Sequence, residues 1–371
     1  MTTDAASAYA LAGVNYKGID AFKRKCQAKA KLTDDNARRR GVEPLEWSRG
    51  ETAAVKRLPD GTLLATVNEG VGTKLLVTDA FFKMTGWDRY AEVAWDAAAA
   101  ILNDLSAVGA RPTGLMMHLA AGSSTLFDNE SAMESVVNGW FDACQAAGCR
   151  WDGGETSVLT DNVEPGTFTL SGSADGLIRN PRHLIKPAIE DGDAMVVLPA
   201  IGIHVNGLTA ARKVAAGLAD GYRTKIDGDR DFGAALLDKT PLYGPLIETC
   251  QESGVRIHYA VPVTGHGWRK LMRAPLDFSY VIESIPPVPP VLQFMRRIQQ
   301  LTDAEAYSTY NMGAGFVLFV PPSDVALIRN AAASHGMTAM MADRCVRSPG
   351  SKSLTIAPLG IVYAGDSLDI R

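Results

Sequence analysis

Two short stretches of the sequence combine residue types that suit phosphate and metal chemistry. The first covers residues 68–74 and reads NEGVGTK. It follows an apolar, β-branched run at residues 62–67, which predicts a buried strand leading into the stretch. Its glycines let the backbone turn and approach a ligand closely, and it supplies a carboxylate (Glu69), a hydroxyl (Thr73) and an ammonium group (Lys74). This combination suits a nucleotide triphosphate with its metal ion.

The pattern at residues 68–74 has a second interpretation. It lacks the four-residue spacer and the lysine-then-hydroxyl order of the common phosphate loop, and it has no three-glycine dinucleotide fingerprint. Taken alone, it fits an ordinary strand-turn-strand hairpin equally well.

The second stretch covers residues 103–112 and reads NDLSAVGARP. Apolar residues recur at helical spacing before and within it, which predicts an amphipathic helix that Gly109 and Pro112 bring to an end. Asn103 and Asp104 lie beside the apolar face in the last turns, where the helix dipole disfavours a carboxylate. A bound cation gives a reason for an acid at this position, so we expect Asp104 to be a metal ligand.

A third stretch, residues 201–207, reads IGIHVNG and joins a predicted strand at residues 194–198 to a helix beginning near Leu208. We expect His204 and Asn206 to be polar, near-exposed groups at the mouth of a site. The alternative is that both side chains merely cap the helix, because Asn is a favoured N-cap residue.

Composition narrows the class of protein. The chain has 371 residues, 46% of them hydrophobic, and a formal net charge of −4. It is long enough for two domains, and its charge argues against a nucleic-acid partner. No window is apolar enough to predict a membrane span or a signal peptide, which favours a cytoplasmic protein without a membrane partner. The five scattered cysteines predict neither disulfides nor a zinc site.

Strands interspersed with long helices predict an α+β fold, with mixed or antiparallel sheets covered by helices. A polar, proline-bounded connector at residues 181–191 predicts the domain boundary. Residues 113–120 read as a strand buried on both faces, and residues 149–151 as a strand that ends before Gly153. Ser131 and Glu134 have the spacing of a capping box.

The first two stretches together resemble the phosphoribosylformylglycinamidine cyclo-ligase family, also called aminoimidazole ribonucleotide synthetase. The family wording is DGVGTK followed by NDL..GA.P. Further matches are collinear: GGETS at 153–157 resembles GGETA, residues 201–207 resemble SSG.HSNG, and NMGAGF at 311–316 resembles FN.G.GM. The N-terminal opening from Tyr9 resembles Y..AGV, so the resemblance covers nearly the whole chain.

This resemblance implies an ATP-dependent enzyme of purine synthesis that cyclises formylglycinamidine ribonucleotide. It implies ATP and Mg²⁺, and a homodimer joined through the N-terminal sheets near the ATP site. Residues 1–180 would bind ATP and Mg²⁺ and dimerise, and residues 181–371 would complete the substrate site. The implied residues are, as catalytic groups, Lys74, Asp104 and His204; as metal ligands, Glu69 and Asp104; for nucleotide, Gly70, Gly72, Thr73, Lys74 and Asn103; for substrate, Gly154, Glu155, Thr156, His204, Asn206 and Asn311.

Some positions depart from the family pattern. Met117 stands where an aspartate is usual, Leu159 lies where a further acid is expected, and His266 replaces a glycine. Arg269 and Lys270 stand in place of a glutamate and an asparagine. These changes keep two alternatives open: a related ATP-dependent enzyme with another amide or phosphate-acceptor substrate, and a nucleotide-binding regulator without turnover.

Overall fold

Residues 16–368 are described in a computed structural model of the protein, so the opening motif from Tyr9 lies outside the described residues. The helices are α1 (Tyr16–Lys31), α2 (Asp34–Arg38), α3 (Lys74–Thr85), α4 (Tyr90–Ser106), α5 (Glu130–Ala147), α6 (Leu208–Ala216), α7 (Phe232–Leu236), α8 (Gly244–Glu252), α9 (Pro290–Ile298), α10 (Asp303–Thr309) and α11 (Val325–Ser334).

The strands alternate with these helices along the chain. They are β1 (Glu43–Pro44), β2 (Ala54–Arg57), β3 (Leu63–Gly70), β4 (Arg111–Ala121), β5 (Arg150–Val158), β6 (Phe168–Ile178), β7 (Ala194–Pro199), β8 (Lys225–Asp227), β9 (Arg230–Asp231), β10 (Tyr259–Pro262), β11 (Phe278–Ile282), β12 (Ala314–Val320), β13 (Met340–Arg347), β14 (Ser353–Ile356) and β15 (Ile361–Ala364).

The first sheet has the strand order β1-β2-β3-β6-β4-β5. Its pairs are antiparallel except β4 with β5, which run parallel. Alternate residues of β3 are buried, as expected for a strand with one face on a core. The long helices α4 and α5 pack against each other, and α4 lies on β3 and β6. The Trp140 side chain of α5 is fully buried in this core.

The second sheet has the order β10-β12-β7-β13-β11-β14-β15, with only β11 and β14 parallel among the pairs of the described strands. Strand β12 is buried along its whole length, because both faces of the sheet are covered there. One face packs on α8 and α11, and the other on a core that includes Trp268. The predicted α+β fold with two mixed sheets is confirmed.

Three local predictions were wrong. Met116 of β4 is 43% exposed, so this strand is not buried on both faces. Strand β5 continues through its glycines to Val158, because hydrogen bonds to β4 hold it in the sheet. The N-cap of α5 is Asn129, whose side chain accepts a hydrogen bond from the Ala132 amide, and not Ser131.

Among residues 16–368, no helix combines the length and apolar character that crossing a membrane requires.

Candidate functional site

A polar cleft of about 290 Å³ lies between the two sheets and brings together side chains from distant parts of the chain. Residues 50–52, Glu69 and Asp104 line it from the first sheet and its helices, and α1 closes one end with Lys23. Asn206 and parts of the segment 264–273 line the opposite side.

Glu69 and Asp104 meet because a strand and a helix end at the same place. Side chains alternate between the two faces of a strand, so Glu69 of β3 is on the same helix-covered face as Val67. It lies beyond the buried part of the strand. Asp104 lies in the last turn of α4, which packs along that face. The apolar stripe of α4 thus places Asp104 beside Glu69 at the edge of the core.

The negative charge of Glu69 influences the ionisation of Asp104. The pKa of Asp104 is raised to about 7, chiefly by burial and also by the negative charge of Glu69, while Lys270 and Arg273 oppose the shift. A carboxylate pair under mutual repulsion gains stability from a cation between its members.

Glu69 and Asp104 fit a magnesium ion that arrives with phosphate. Mg²⁺ is usually held by one or two carboxylates together with substrate phosphates and water. Within the described part of the chain, no group of three or more His, Cys, Asp or Glu residues could hold a metal ion. The donor set therefore suits a metal shared with a ligand and not a closed protein cage.

The opposite wall carries positive charge. Lys270 is half-buried and donates a hydrogen bond to the Thr264 hydroxyl. The pKa of Lys270 is lowered to about 8, chiefly by burial and also by the nearby Arg273, against the effect of Asp104 and Glu69. Sequence reasoning noted Lys270 only as a change of charge and did not place it in the site.

Arg273 and Glu51 form a buried pair at the floor of the cleft. Arg273 Nε lies 3.3 Å from Glu51 Oε2, and its Nη2 donates to the Gly50 carbonyl. The Tyr259 hydroxyl donates to Glu51 at 3.0 Å. None of these residues belongs to a sequence motif, so no signal in the sequence pointed to them.

His266 joins the cleft to α1. Its backbone is left-handed, with φ of 72°, and its Nε2 lies 3.4 Å from Asp20 Oδ2. Burial lowers the pKa of His266 to about 4 despite the opposing effect of Asp20. The imidazole is therefore neutral near pH 7 and acts as a packed hydrogen-bonding group.

The turn before α6 divides its two polar residues between core and cleft. Asn206 lines the cleft, but His204 is 5% exposed and its Nε2 is buried with no hydrogen-bond partner in residues 16–368. Burial and the neighbouring Lys74 lower the pKa of His204 to about 3. The N-cap of α6 is Gly207, without a capping side chain. The prediction of a near-exposed His204 was wrong, and so is the alternative that both side chains cap the helix.

Lys74 does not face the cleft. Its side chain is fully buried, forms an ion pair with Asp96, and donates to the carbonyls of His204 at 3.0 Å and Asp238 at 3.1 Å. These acceptors use the three donors of the ammonium group. The predicted phosphate contact of Lys74 disagrees with this geometry, because Lys74 joins the first half of the chain to the second internally.

Asn103 has a similar internal role. Its Nδ2 donates to the Pro241 carbonyl at 2.9 Å, and its Oδ1 accepts from the Tyr243 amide at 2.8 Å. The side chain is 5% exposed. The predicted nucleotide contact of Asn103 is therefore replaced by a hydrogen-bonded link to the second half of the chain.

The glycine turn at Gly70, Gly72 and Thr73 leads into a helix and not into a hairpin. Gly72 is exposed with φ of 60°, and α3 begins at Lys74. Thr73 Oγ1 lies 3.2 Å from Thr209 Oγ1 of α6. The nucleotide contacts predicted for these three residues remain a prediction.

The predicted substrate residues of β5 are not brought to the cleft. Gly154, Glu155 and Thr156 are exposed on the outermost strand, separated from β3 by β4 and β6. A Cβ on Gly154 would lie 1.7 Å from the Met117 carbonyl, which explains this glycine by close strand approach.

Asn311 and three of the altered positions also lie away from the cleft. The buried Asn311 donates to the Gly202 carbonyl at 2.9 Å and accepts from the Gly313 amide at 3.0 Å, so it supports two loops and does not line the cleft. Met117 is half-buried, Leu159 is 38% exposed, and Arg269 donates to the Ser308 and Ser367 carbonyls.

The fold and cleft define an α+β protein with a two-walled polar site, and comparisons with known proteins agree. The sequence model described as "AIR synthase related protein, N-terminal domain" matches residues 50–178. A phosphoribosylformylglycinamidine cyclo-ligase of Thermoanaerobacter sp. (strain X514) is 30% identical over 71% of this chain and 76% of that protein. The chain belongs to the phosphoribosylformylglycinamidine cyclo-ligase family.

Two further relatives extend the comparison. The phosphoribosylformylglycinamidine cyclo-ligase of Myxococcus xanthus (strain DK1622) is 27% identical over 94% of this chain and 99% of that protein. Among solved structures, T. maritima PurL complexed with ATP has a TM-score of 0.54 at 16% identity, covering 85% of this chain and 45% of that chain. The structural likeness supports the fold alone.

Proposed function

We propose that this protein is an ATP-dependent cyclo-ligase that converts formylglycinamidine ribonucleotide to aminoimidazole ribonucleotide in purine biosynthesis. One observation carries the proposal: Glu69, Asp104 and Asn206 converge on one cleft between the two sheets. Relatives with this activity in their names match most of the chain.

The reaction divides into two steps. The γ-phosphoryl group of ATP is transferred to the amide oxygen of the substrate, which creates a phosphate leaving group. A nitrogen of the same molecule then attacks that carbon, closing the imidazole ring and releasing phosphate. Most of the catalytic effect comes from orienting the groups and stabilising charge.

The residues of the cleft suit these tasks. Bound Mg²⁺ would reduce the negative charge on the transferring phosphoryl group. Glu69 and Asp104 would hold the ion on the side of the first sheet. On the opposite wall, the Asn206 side chain would donate a hydrogen bond to the substrate and accept one from it.

The proposal assigns different tasks to the two parts of the chain. Residues 1–180 bind ATP and Mg²⁺ and form the dimer, and residues 181–371 complete the substrate site. In this assignment Gly70, Gly72 and Thr73 contact the nucleotide at the start of α3, where free backbone amides favour phosphate. T. maritima PurL, which has a similar fold, is complexed with ATP in its solved structure, and this supports a nucleotide site in the present fold. A cytoplasmic location is part of the same proposal.

A coupled ADP-release assay with formylglycinamidine ribonucleotide tests the function. Turnover that depends on both ATP and this substrate supports the cyclo-ligase. ATP binding without turnover of this substrate contradicts it and favours a related enzyme or a regulator. ADP release without substrate serves as the background control.

At Glu69, the substitution Glu69→Asp should retain more activity than Glu69→Ala. A shorter carboxylate still carries the charge and can reach a metal ion through a water molecule. The test compares kcat and the Mg²⁺ dependence of both variants. Equal losses in the two variants would indicate that the length of the side chain, and not its charge, matters.

A homodimer is part of the proposal, and the first sheet suggests how it forms. Helices cover one face of this sheet, whereas Met116 on the other face is 43% exposed. If the nucleotide site lies near that interface, dilution below the dimer dissociation constant should lower specific activity, and nucleotide should oppose dissociation by mass action.

Two variants make the dimer prediction specific. Met116→Asp should shift the protein to monomer in sedimentation and lower its activity, because the charge would be buried in the interface. Val346→Asp places a charge at an apolar position on the second sheet that is 52% exposed, and it should leave the dimer intact. A fully active monomer would rule out the shared site.

A further inference from the structure

Charge is separated across the cleft. Glu51 and Arg273 neutralise each other in the ion pair at the floor of the cleft. Of the remaining charged groups, the carboxylates of Glu69 and Asp104 belong to the first part of the chain, whereas Lys270 lies on the opposite wall. Lys23 of α1 adds a second cation at one end. A ligand with an anionic end and a polar or cationic end would have only one favourable orientation in this field.

The two arginines near Lys270 in the sequence, Arg269 and Arg273, already have partners within the protein. Arg273 is paired with Glu51 and with the Gly50 carbonyl. Arg269 points elsewhere and donates to the Ser308 and Ser367 carbonyls.

Lys270 differs from both arginines. Its ammonium group donates to the Thr264 hydroxyl, and within residues 16–368 no carboxylate oxygen lies within ion-pair distance of it. Two of its three donors therefore have no partner among residues 16–368 and can bind a ligand. The Thr264 hydroxyl and the Asn206 amide line the same cleft and can also donate.

We propose that Lys270, with Thr264 and Asn206, binds the phosphate group of a phosphate monoester, namely the ribosyl 5′-phosphate of the substrate. This inference rests on the proposed function. A phosphate at this wall would direct the opposite, amidine-bearing end of the substrate toward Glu69 and Asp104, where phosphoryl transfer takes place. Lys270 is thus a binding and orienting residue and does not itself take part in the bond changes.

The assignment is specific to this chain. Lys270 stands where the family pattern has an asparagine, so the positive charge at this position is a difference from the family pattern. The substitution Lys270→Asn restores the family residue while keeping a hydrogen-bonding group. Arg269→Gln is a matched control. Arg269 is the neighbouring position that also differs from the family pattern, but its side chain does not line the cleft.

Calorimetric titration at low ionic strength tests the inference with two probes, ribose 5-phosphate and Mg²⁺ with a non-hydrolysable ATP analogue. Lys270→Asn should weaken ribose 5-phosphate binding about 10-fold or more, because a hydrogen bond between charged groups is lost. Binding of the nucleotide analogue should change less than about twofold, and Arg269→Gln should leave both affinities unchanged. Circular dichroism melting confirms that both variants are folded.

Each other outcome is informative. Equal ribose 5-phosphate affinity in the wild type and Lys270→Asn, or no binding by the wild type, overturns the inference. Loss of nucleotide affinity alone also overturns it, because the phosphate would then belong to ATP. If the binding results hold but formylglycinamidine ribonucleotide is not turned over, the proposed function fails while the phosphate site stands. If formylglycinamidine ribonucleotide is turned over but Lys270→Asn does not change ribose 5-phosphate binding, the phosphate site fails while the proposed function stands.

Discussion

Asp104→Asn is expected to lower turnover by about 100-fold or more while the protein keeps its fold. A metal ion contributes several kcal/mol of transition-state stabilisation, and each 1.36 kcal/mol changes the rate tenfold. Asparagine has nearly the same shape as aspartate but lacks the negative charge that Mg²⁺ requires. The hydrogen bond from Thr52 at 2.7 Å ends on the backbone oxygen of Asp104 and is retained.

The measurement is kcat for ADP release at saturating ATP, substrate and Mg²⁺, together with thermal unfolding of both proteins. Asp142→Asn is the matched control, because Asp142 is an exposed aspartate on α5, away from the cleft. It should change neither quantity. Unchanged turnover of Asp104→Asn at saturating Mg²⁺ would refute the metal-ligand assignment.

The convergence of Glu69 and Asp104 was predictable because each lies at the end of a strongly patterned element. Alternation along β3 defines the face of the strand that packs on a helix, and the apolar stripe of α4 defines the face of the helix that packs on the sheet. These two local patterns position both carboxylates. Asn206 was predictable for a related reason, since the glycine after it marks a sharp turn at the start of α6.

The roles of Lys74, Asn103 and His204 were not predictable from local sequence. The two carbonyl acceptors of Lys74 lie 130 and 164 residues away, and the partners of Asn103 lie 138 and 140 residues away. A lysine after a glycine turn looks the same in sequence whether it meets phosphate or a buried aspartate. Only the tertiary packing of α3 against the second half of the chain distinguishes the two.

Two roles for Lys74 predict different effects of Lys74→Met. A phosphate-binding lysine predicts weaker use of ATP, whereas an internally paired lysine predicts lower stability. We expect this substitution to lower the free energy of unfolding by about 3–5 kcal/mol, because it leaves Asp96 buried without its cation. Both side chains are fully buried, so solvent cannot compensate the charge. Such a loss is a large part of the total stability of an ordinary domain.

Denaturant unfolding measures this loss, and two comparisons isolate the ion pair. Lys83→Met removes an exposed lysine from the same helix and should change stability by less than about 0.5 kcal/mol. Adding Asp96→Asn to Lys74→Met should recover part of the stability, because the buried charge disappears while an oxygen remains for the Thr240 amide. The interpretation fails if Lys74→Met unfolds like the wild type and only its Michaelis constant for ATP rises, since Lys74 would then bind phosphate after all.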